Sequence, residues 1–351
     1  MAGIAHRLGL RVNLSMRPSP TAHCDVLVIA TDTRSMTIDE AEAETRSVAA
    51  AIGRLPEVTA VFKKTDSALR GHVVGELGEL LATLGLKNAV YMPANPSKGR
   101  IIRNGIYYVN DKPLHLTDFS FDPEFPAFSS RVSERLPGCG AKGILCPDAE
   151  SEADIKAVVA SAAPDTLLAG AADLFTAFLE KETAVRHLVP TAPISPQASS
   201  FRLDTSDMLV VCGSTQSKPV DCGAKIEYMP LGVYDGDCGV DVWTEKLAGV
   251  YAENPSLILA LEHRHRNGKE SAVYIRETMG EAVSRLVTLH CPCELVIEGG
   301  ATAFAILRRL GWDSFTITDE IAPGVIRMRN TSGSHVTMKP GSYPWGNLFQ
   351  R

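Results

Sequence analysis

Apolar runs alternate with helical patterns along the first half of this chain, and a polar loop follows each run. Val26 to Ala30 is continuously apolar and reads as a buried strand, ending in Thr31-Asp32-Thr33-Arg34-Ser35. The spacing then predicts a helix from Ile38 to Ile52, with Asp39 and Glu40 in the first turn, where the helix dipole favours acids. Val58 to Phe62 is the next strand, Lys63 to His72 (KKTDSALRGH) the next loop, and Val73 to Leu84 the next helix. A third strand, Ala89 to Met92, leads into Pro93 to Gly105 (PANPSKGRIIRNG) and a short strand from Ile106 to Val109. Gly143 to Cys146, Ile155 to Ala163 and Thr166 to Ala169 continue the strand, helix, strand order. Such an order predicts a parallel sheet with helices on its faces, and ligands bind such sheets outside the carboxyl ends of the strands. The three polar loops fall there.

Leu188 to Ser206, rich in Pro, Ser and Thr, reads as a linker, and a second α/β region follows. Its strands are Met208 to Cys212, Ser256 to Leu261 and Glu294 to Ile297, with a helix from Ala303 to Leu310. The expected fold is therefore α/β in two domains, residues 1–190 and 207–351, each with a largely parallel sheet flanked by helices. The length of 351 residues fits two domains, and 45% hydrophobic with 22% charged residues is an ordinary globular composition. A net charge of −6 argues against a general nucleic-acid binder. The eight cysteines show no paired zinc spacing, so reduced thiols and no metal site are expected. No apolar run is long enough to span a bilayer, no signal-peptide core is visible, and the cytoplasm is the expected location.

Basic residues gather locally inside this acidic chain, which suits a small anion. Arg34 offers a planar fork matched to a carboxylate, or it simply pairs with a nearby acid. In Lys63 to His72, Lys64, Ser67 and Arg70 could meet one ligand, and Asp66 could orient or deprotonate a hydroxyl. The plainer alternative is an ion-paired helix start capped by Asp66 or Ser67. Asn95, Lys98 and Arg100 offer donors from the third loop. Gly299-Gly300-Ala301-Thr302 joins a strand to a helix, where glycines let phosphate oxygens approach backbone N–H groups. Gly213-Ser214-Thr215-Gln216-Ser217 and the tail from Lys339 to Gly346 are similar but individually weak. His263-x-His265 beside Glu262, and Asp235 and Asp237 around Gly236, read as solvated turns.

Taken in order, these loops resemble the four-carbon acid sugar kinases, which phosphorylate threonate, erythronate or 3-oxo-tetronate with ATP. The resemblance rests on TDTRSMTIDEAEA at Thr31 to Ala43, KKTDSALRGH, and PANPSKGRIIRNGIYYVNDKPL at Pro93 to Leu114. The loops at Gly213 and Gly299, EIAPGV at Glu320 to Val325 and the tail at Lys339 complete it. It implies an N-terminal domain for the sugar acid, a C-terminal domain for ATP with Mg²⁺, and catalysis in the cleft between them. Arg34, Lys64, Ser67, Arg70 and Arg100 would then face the sugar acid, and Asp66 would act in catalysis. Ser214, Gly299, Gly300, Ala301, Thr302 and Gly341 would face the nucleotide.

Two departures bear on activity. Relatives begin with a strand leading to Asp-Asp-x-Thr-Gly, whereas MAGIAHRLGLRV matches the helix just after that motif, so the true start is expected upstream of Met1 or the chain is truncated. Without that strand, Val26 to Ala30 would lose backbone partners and stability would be marginal. The second departure is Ala301, where relatives usually carry an acid, together with a stiffer tail at Pro340 and Tyr343-Pro344. The competing expectation is a non-catalytic sugar-acid or nucleotide binder. A nicotinamide oxidoreductase is disfavoured because no GxGxxG follows a strand. The expected partners are a small sugar acid and ATP, with no nucleic acid or membrane, and a homo-oligomer is compatible with the sequence.

Overall fold

The computed structural model describes residues 1–18, 24–122, 125–140, 143–186, 203–213, 219–263, 265–266, 268–341 and 343–349. The chain opens with α1 (Ala2–Arg7), β1 (Val12–Ser15), β2 (Val26–Ile29), α2 (Ile38–Ile52), β3 (Phe62–Lys64) and α3 (Val73–Leu84). It continues with β4 (Asn88–Met92), β5 (Arg100–Arg103), β6 (Ile106–Val109), β7 (Lys112–Pro113), α4 (Val132–Arg135), β8 (Ile144–Leu145), α5 (Glu152–Ser161), β9 (Thr166–Gly170) and α6 (Ala172–Arg186). The remainder holds β10 (Met208–Cys212), β11 (Lys225–Tyr228), α7 (Leu231–Asp235), α8 (Val240–Glu253), β12 (Ser256–Ala260) and α9 (Lys269–His290). It closes with β13 (Glu294–Glu298), α10 (Gly300–Arg309), β14 (Ser314–Ala322), β15 (Val325–Asn330) and β16 (His335–Lys339).

The chain divides into two compact units. The first runs from Thr31 to Pro190, and the second combines Ala2–Arg17 and β2 with the residues from Thr191 onward. The first unit carries a parallel sheet of order β3-β9-β4-β8 and a small antiparallel sheet β5-β6-β7. Its core gathers Leu77, Tyr91, Met92, Ile102, Tyr107 and Leu114, all fully buried. Two capping boxes set helix starts: Thr37 with Glu40 for α2, and Ser151 with Asp154 for α5, each pairing orphan N–H donors reciprocally. The left-handed Gly85 ends α3.

The second unit holds a nine-stranded sheet of order β11-β12-β10-β13-β16-β15-β14-β1-β2. Its first five strands are parallel, and every residue of β10 and β13 is buried, as expected for strands covered on both faces. β14, β15 and β16 form an antiparallel meander, to which β1 adds through β14.

Three expectations are corrected here. Val26 to Ala30 does not share a sheet with the other early strands: β2 pairs with β1 at the edge of the nine-stranded sheet and is only half-buried. The edge position explains why it is not the fully buried strand its composition suggested. The strand expected at Val58 to Phe62 lies further on, at Phe62–Lys64, because Val58 is exposed in an irregular stretch. Lys63 and Lys64 are therefore strand residues, not loop residues. The meander β14–β16 and strands β1 and β11 were not expected at all. The expected linker lies for the most part outside the described residues.

Candidate functional site

In the first unit, the carboxyl end of β3 delivers Lys64 directly into the loop that precedes α3. Ala68 and Leu69 are buried and pin that loop to the core. Leu69 holds a positive φ of 60°, an uncommon conformation for a side chain branched beyond Cβ and a cost that packing must offset.

Asp66 lies at the centre of the cluster. Its carboxylate accepts from Arg70 Nε at 3.0 Å, Arg70 Nη2 at 2.7 Å and the Ala68 N–H at 2.7 Å. Arg34, from the turn after Thr33, stands 3.5 Å from the same carboxylate and keeps 40% of its side chain exposed. Burial pushes the Asp66 carboxyl upward, but the Arg70 hydrogen bonds and charge, the Ala68 N–H and Arg34 outweigh it and hold the group below its ordinary range. Arg70 also donates to Asp122 Oδ2 at 2.7 Å. Burial works against the Arg70 charge, yet the two carboxylates hold it more firmly protonated than usual. Helix α3 takes no side-chain cap, so Asp66 and Ser67 serve the loop, not the helix start.

Ser67 accepts a hydrogen bond from Arg100 Nη1, and its carbonyl accepts one from the Tyr107 hydroxyl. Lys64 donates to the Thr65 carbonyl. Lys64 is exposed as a residue, yet its ammonium end is crowded by protein. That crowding, with Arg100, Arg34 and Arg70 adding to it against Asp66, lowers its pKa. The loop therefore gathers four cationic groups, Arg34, Lys64, Arg70 and Arg100, against the carboxylates of Asp66 and Asp122. Of the first-unit residues singled out in the sequence, Arg34, Lys64, Asp66, Ser67, Arg70 and Arg100 meet here. Asn95 differs: it is buried, and its Oδ1 accepts from the Asp173 N–H at 2.9 Å, which fixes the third loop to the start of α6.

In the second unit, the ends of the adjacent parallel strands β10, β13 and β16 carry Gly213, Gly299 and Lys339. Gly299 has φ of 102°, and its N–H donates to the Lys339 carbonyl at 2.9 Å, which turns the chain sharply into α10. The first-turn N–H groups of α10, from Gly300, Ala301 and Thr302, are those a helix leaves without partners of its own. Gly213 packs so closely on Thr302 that an added Cβ would lie 2.4 Å from its Oγ1. Lys339 and Glu298, cross-strand partners in the sheet, form an ion pair of 2.9 Å with 3% and 2% side-chain exposure. The Lys339 ammonium also lies 4.9 Å from the Trp345 ring centroid. Gly341 follows in the same turn, two residues beyond Lys339. Ser214 lies outside the described residues. This arrangement can cradle phosphate oxygens on backbone N–H groups.

Sequence reading passed over Tyr107, Phe119, Asp122 and Glu298. Phe119 and Asp122 sit in a stretch without periodicity, and only their contacts with Arg70 and Arg100 mark them. His263 and His265 are less isolated than a solvated turn: His265 Nε2 lies 2.7 Å from Asp235 Oδ1, and both rings pack near Tyr234. Among the described residues no cluster of three or more His, Cys, Asp or Glu could hold a metal ion, and no helix is long and apolar enough to cross a membrane.

Residues 1–138 match a family described as a sugar-binding N-terminal domain, and residues 250–343 match a nucleotide-binding C-terminal domain. The chain is 25% identical to a D-threonate kinase of Salmonella typhimurium over 89% of its own length and 83% of that protein. It is 28% identical to a D-threonate kinase of Bordetella bronchiseptica, covering 86% of this chain and 78% of the relative. Its fold matches the crystal structure of the Haemophilus influenzae protein HI1011 with a TM-score of 0.66 at 17% identity, over 99% of this chain and 95% of the other. With both halves matched in order and kinase relatives spanning most of its length, the chain belongs to the four-carbon acid sugar kinase family.

Proposed function

We propose that this chain is a kinase that transfers the terminal phosphoryl group of ATP to a hydroxyl of a four-carbon sugar acid: threonate, erythronate or 3-oxo-tetronate. The observation that carries the reading is the surplus of positive charge in the first-unit loop, where four cationic groups face two carboxylates. A sugar carboxylate and the charge developing on a transferring phosphoryl group would both be stabilised there.

The roles divide by how fully each side chain is already engaged. Arg70 is held by Asp66 and Asp122, so it supports the pocket more than it reaches into it. Arg34, Lys64 and Arg100 keep donors for the substrate, and Ser67 orients Arg100. Asp66, ionised and held by three hydrogen bonds, organises the cations. Its low proton affinity makes it a poor base, though it could still accept a hydrogen bond from the reacting hydroxyl.

The loops at Gly213, Ser214, Gly299 to Thr302 and Gly341 would hold the nucleotide phosphates on backbone N–H groups. The first unit, from Thr31 to Pro190, would thus serve the acceptor and the second unit the donor. Mg²⁺ belongs to the proposal as the ion that accompanies ATP and neutralises its phosphates. The protein's own work is positioning and charge stabilisation, the main terms in phosphoryl transfer.

An ATP-consumption assay with D-threonate, L-threonate, D-erythronate and 3-oxo-tetronate tests the proposal. Turnover that depends on one of these acids is expected. Binding of sugar acid and ATP without turnover would overturn it in favour of a non-catalytic binding protein.

A further inference from the structure

Arg70 and Arg100 differ sharply in their partners. Arg70 is held by two carboxylates, Asp66 and Asp122. Arg100 has no carboxylate partner among the described residues; its hydrogen bond goes to the Ser67 hydroxyl. One contact is shared by both guanidinium groups. The ring of Phe119 lies beneath Arg70 with 5.4 Å from guanidinium carbon to ring centroid, and beneath Arg100 with 5.5 Å.

We infer that Phe119 is a positioning residue that fixes the Arg70 and Arg100 guanidinium groups side by side and so sets which anion the first-unit pocket accepts. The inference rests on the proposed sugar-acid function for the word "pocket", but not for the geometry. An aromatic face attracts a cation through its quadrupole without neutralising it. A carboxylate in the same place would pair with Arg100 and compete with any incoming anion. The ring instead contacts the guanidinium without taking up its N–H groups, which stay free to donate to a carboxylate. Arg100 is thereby oriented and still available.

The segment around Phe119 is built to hold this ring still. The Thr117 side chain accepts from the Phe119 N–H at 3.4 Å, and the Phe119 carbonyl accepts from Asp122 at 3.3 Å and from Ala127 at 3.0 Å. The Phe119 side chain also packs against the first unit's core. The turn that closes on the Phe119 carbonyl presents Asp122, whose carboxylate takes Arg70 Nη1. Ring and carboxylate therefore act on Arg70 as one piece. Ser67, next in sequence to Asp66, completes the frame: its hydroxyl takes Arg100 while its carbonyl is tied to Tyr107.

The test compares Phe119→Leu with Phe119→Tyr in the full chain. Phe119→Leu keeps an apolar side chain of similar reach and removes the quadrupole. It should raise the KM for the sugar acid roughly tenfold, with the KM for ATP and kcat held within about twofold. Phe119→Tyr should restore the wild-type KM. A second readout does not need turnover: arginine-selective NMR of the side-chain N–H groups. Two ring-shifted arginine signals are expected in the wild type and in Phe119→Tyr, and their loss in Phe119→Leu. Arginine signals or a sugar-acid KM unchanged in Phe119→Leu would overturn the inference. Wild-type protein that phosphorylates no sugar acid would sink the proposed function alone. The arginine signals would still decide the role of Phe119: lost in Phe119→Leu they support it, retained they refute it.

Discussion

Replacing Asp66 by asparagine separates its two conceivable roles. The substitution keeps the shape of the side chain and removes its charge. In the structure that charge meets Arg70 through two hydrogen bonds, the Ala68 N–H through a third, and Arg34 at 3.5 Å. Asp66 and Arg70 keep only 16% and 22% of their side chains exposed. Removing one partner of a fully buried pair costs about 3–5 kcal/mol. The residual exposure lowers that figure, as does Asp122, which still holds Arg70, so we expect a loss of about 2–4 kcal/mol. For a unit of this size the melting temperature should fall by roughly 4–15 °C. The held-down pKa adds a pH signature. The folded-state carboxyl is more acidic than the unfolded one, so its contribution is present above the unfolded value of about 3.9 and is lost as pH falls through the lower folded value. Wild type should lose stability in that acidic window, and Asp66→Asn should lose less there. Thermal melts at pH 7 and across the acidic range, run beside steady-state kinetics, make the test. A variant as stable as wild type, with kcat reduced a hundredfold or more, would refute the organising role and return Asp66 to direct chemistry.

Arg34→Met removes a cluster arginine that keeps 40% of its side chain exposed, and it should raise the sugar-acid KM roughly tenfold to a hundredfold while leaving the melting temperature nearly unchanged; kinetics and melting curves check both halves. Sugar-acid affinity should fall as pH rises through the lowered pKa of Lys64, below the ordinary lysine value, because the neutral amine no longer attracts a carboxylate. Calorimetric titration across the alkaline range should show that loss in wild type and its absence in Lys64→Met. Lys339→Met leaves the buried Glu298 carboxylate without its ion-pair partner and should cost about 3–5 kcal/mol, read by denaturant unfolding.

The alternation of apolar runs with helical patterns made α2, α3, β6 and β10 legible with their boundaries intact, because in each case local periodicity and tertiary burial agree. Val26–Ile29 was legible as a strand but not in its sheet, since a short apolar run carries no information about its neighbours. The meander β14–β16 hid its antiparallel nature behind mixed charged and apolar positions and two register shifts along β14. In the candidate site, residue types in Lys63 to His72 pointed to anion binding, yet they could not reveal who pairs with whom. Asp66 read either as a partner for a substrate hydroxyl or as part of an ion-paired helix start, and Arg70 folds back onto it within the loop. Phe119 and Asp122 gave no sequence signal, because their role exists only through contacts with Arg70 and Arg100, which are distant in the chain.

The central claim is phosphoryl transfer from ATP to a four-carbon sugar acid, and ³¹P NMR of one reaction mixture addresses it most directly. With ATP, Mg²⁺ and D-threonate, D-erythronate or 3-oxo-tetronate, the account predicts a growing phosphomonoester resonance matched by loss of the γ-phosphate of ATP. Spectra that stay unchanged with every acid, or that show only inorganic phosphate accumulating, would contradict it.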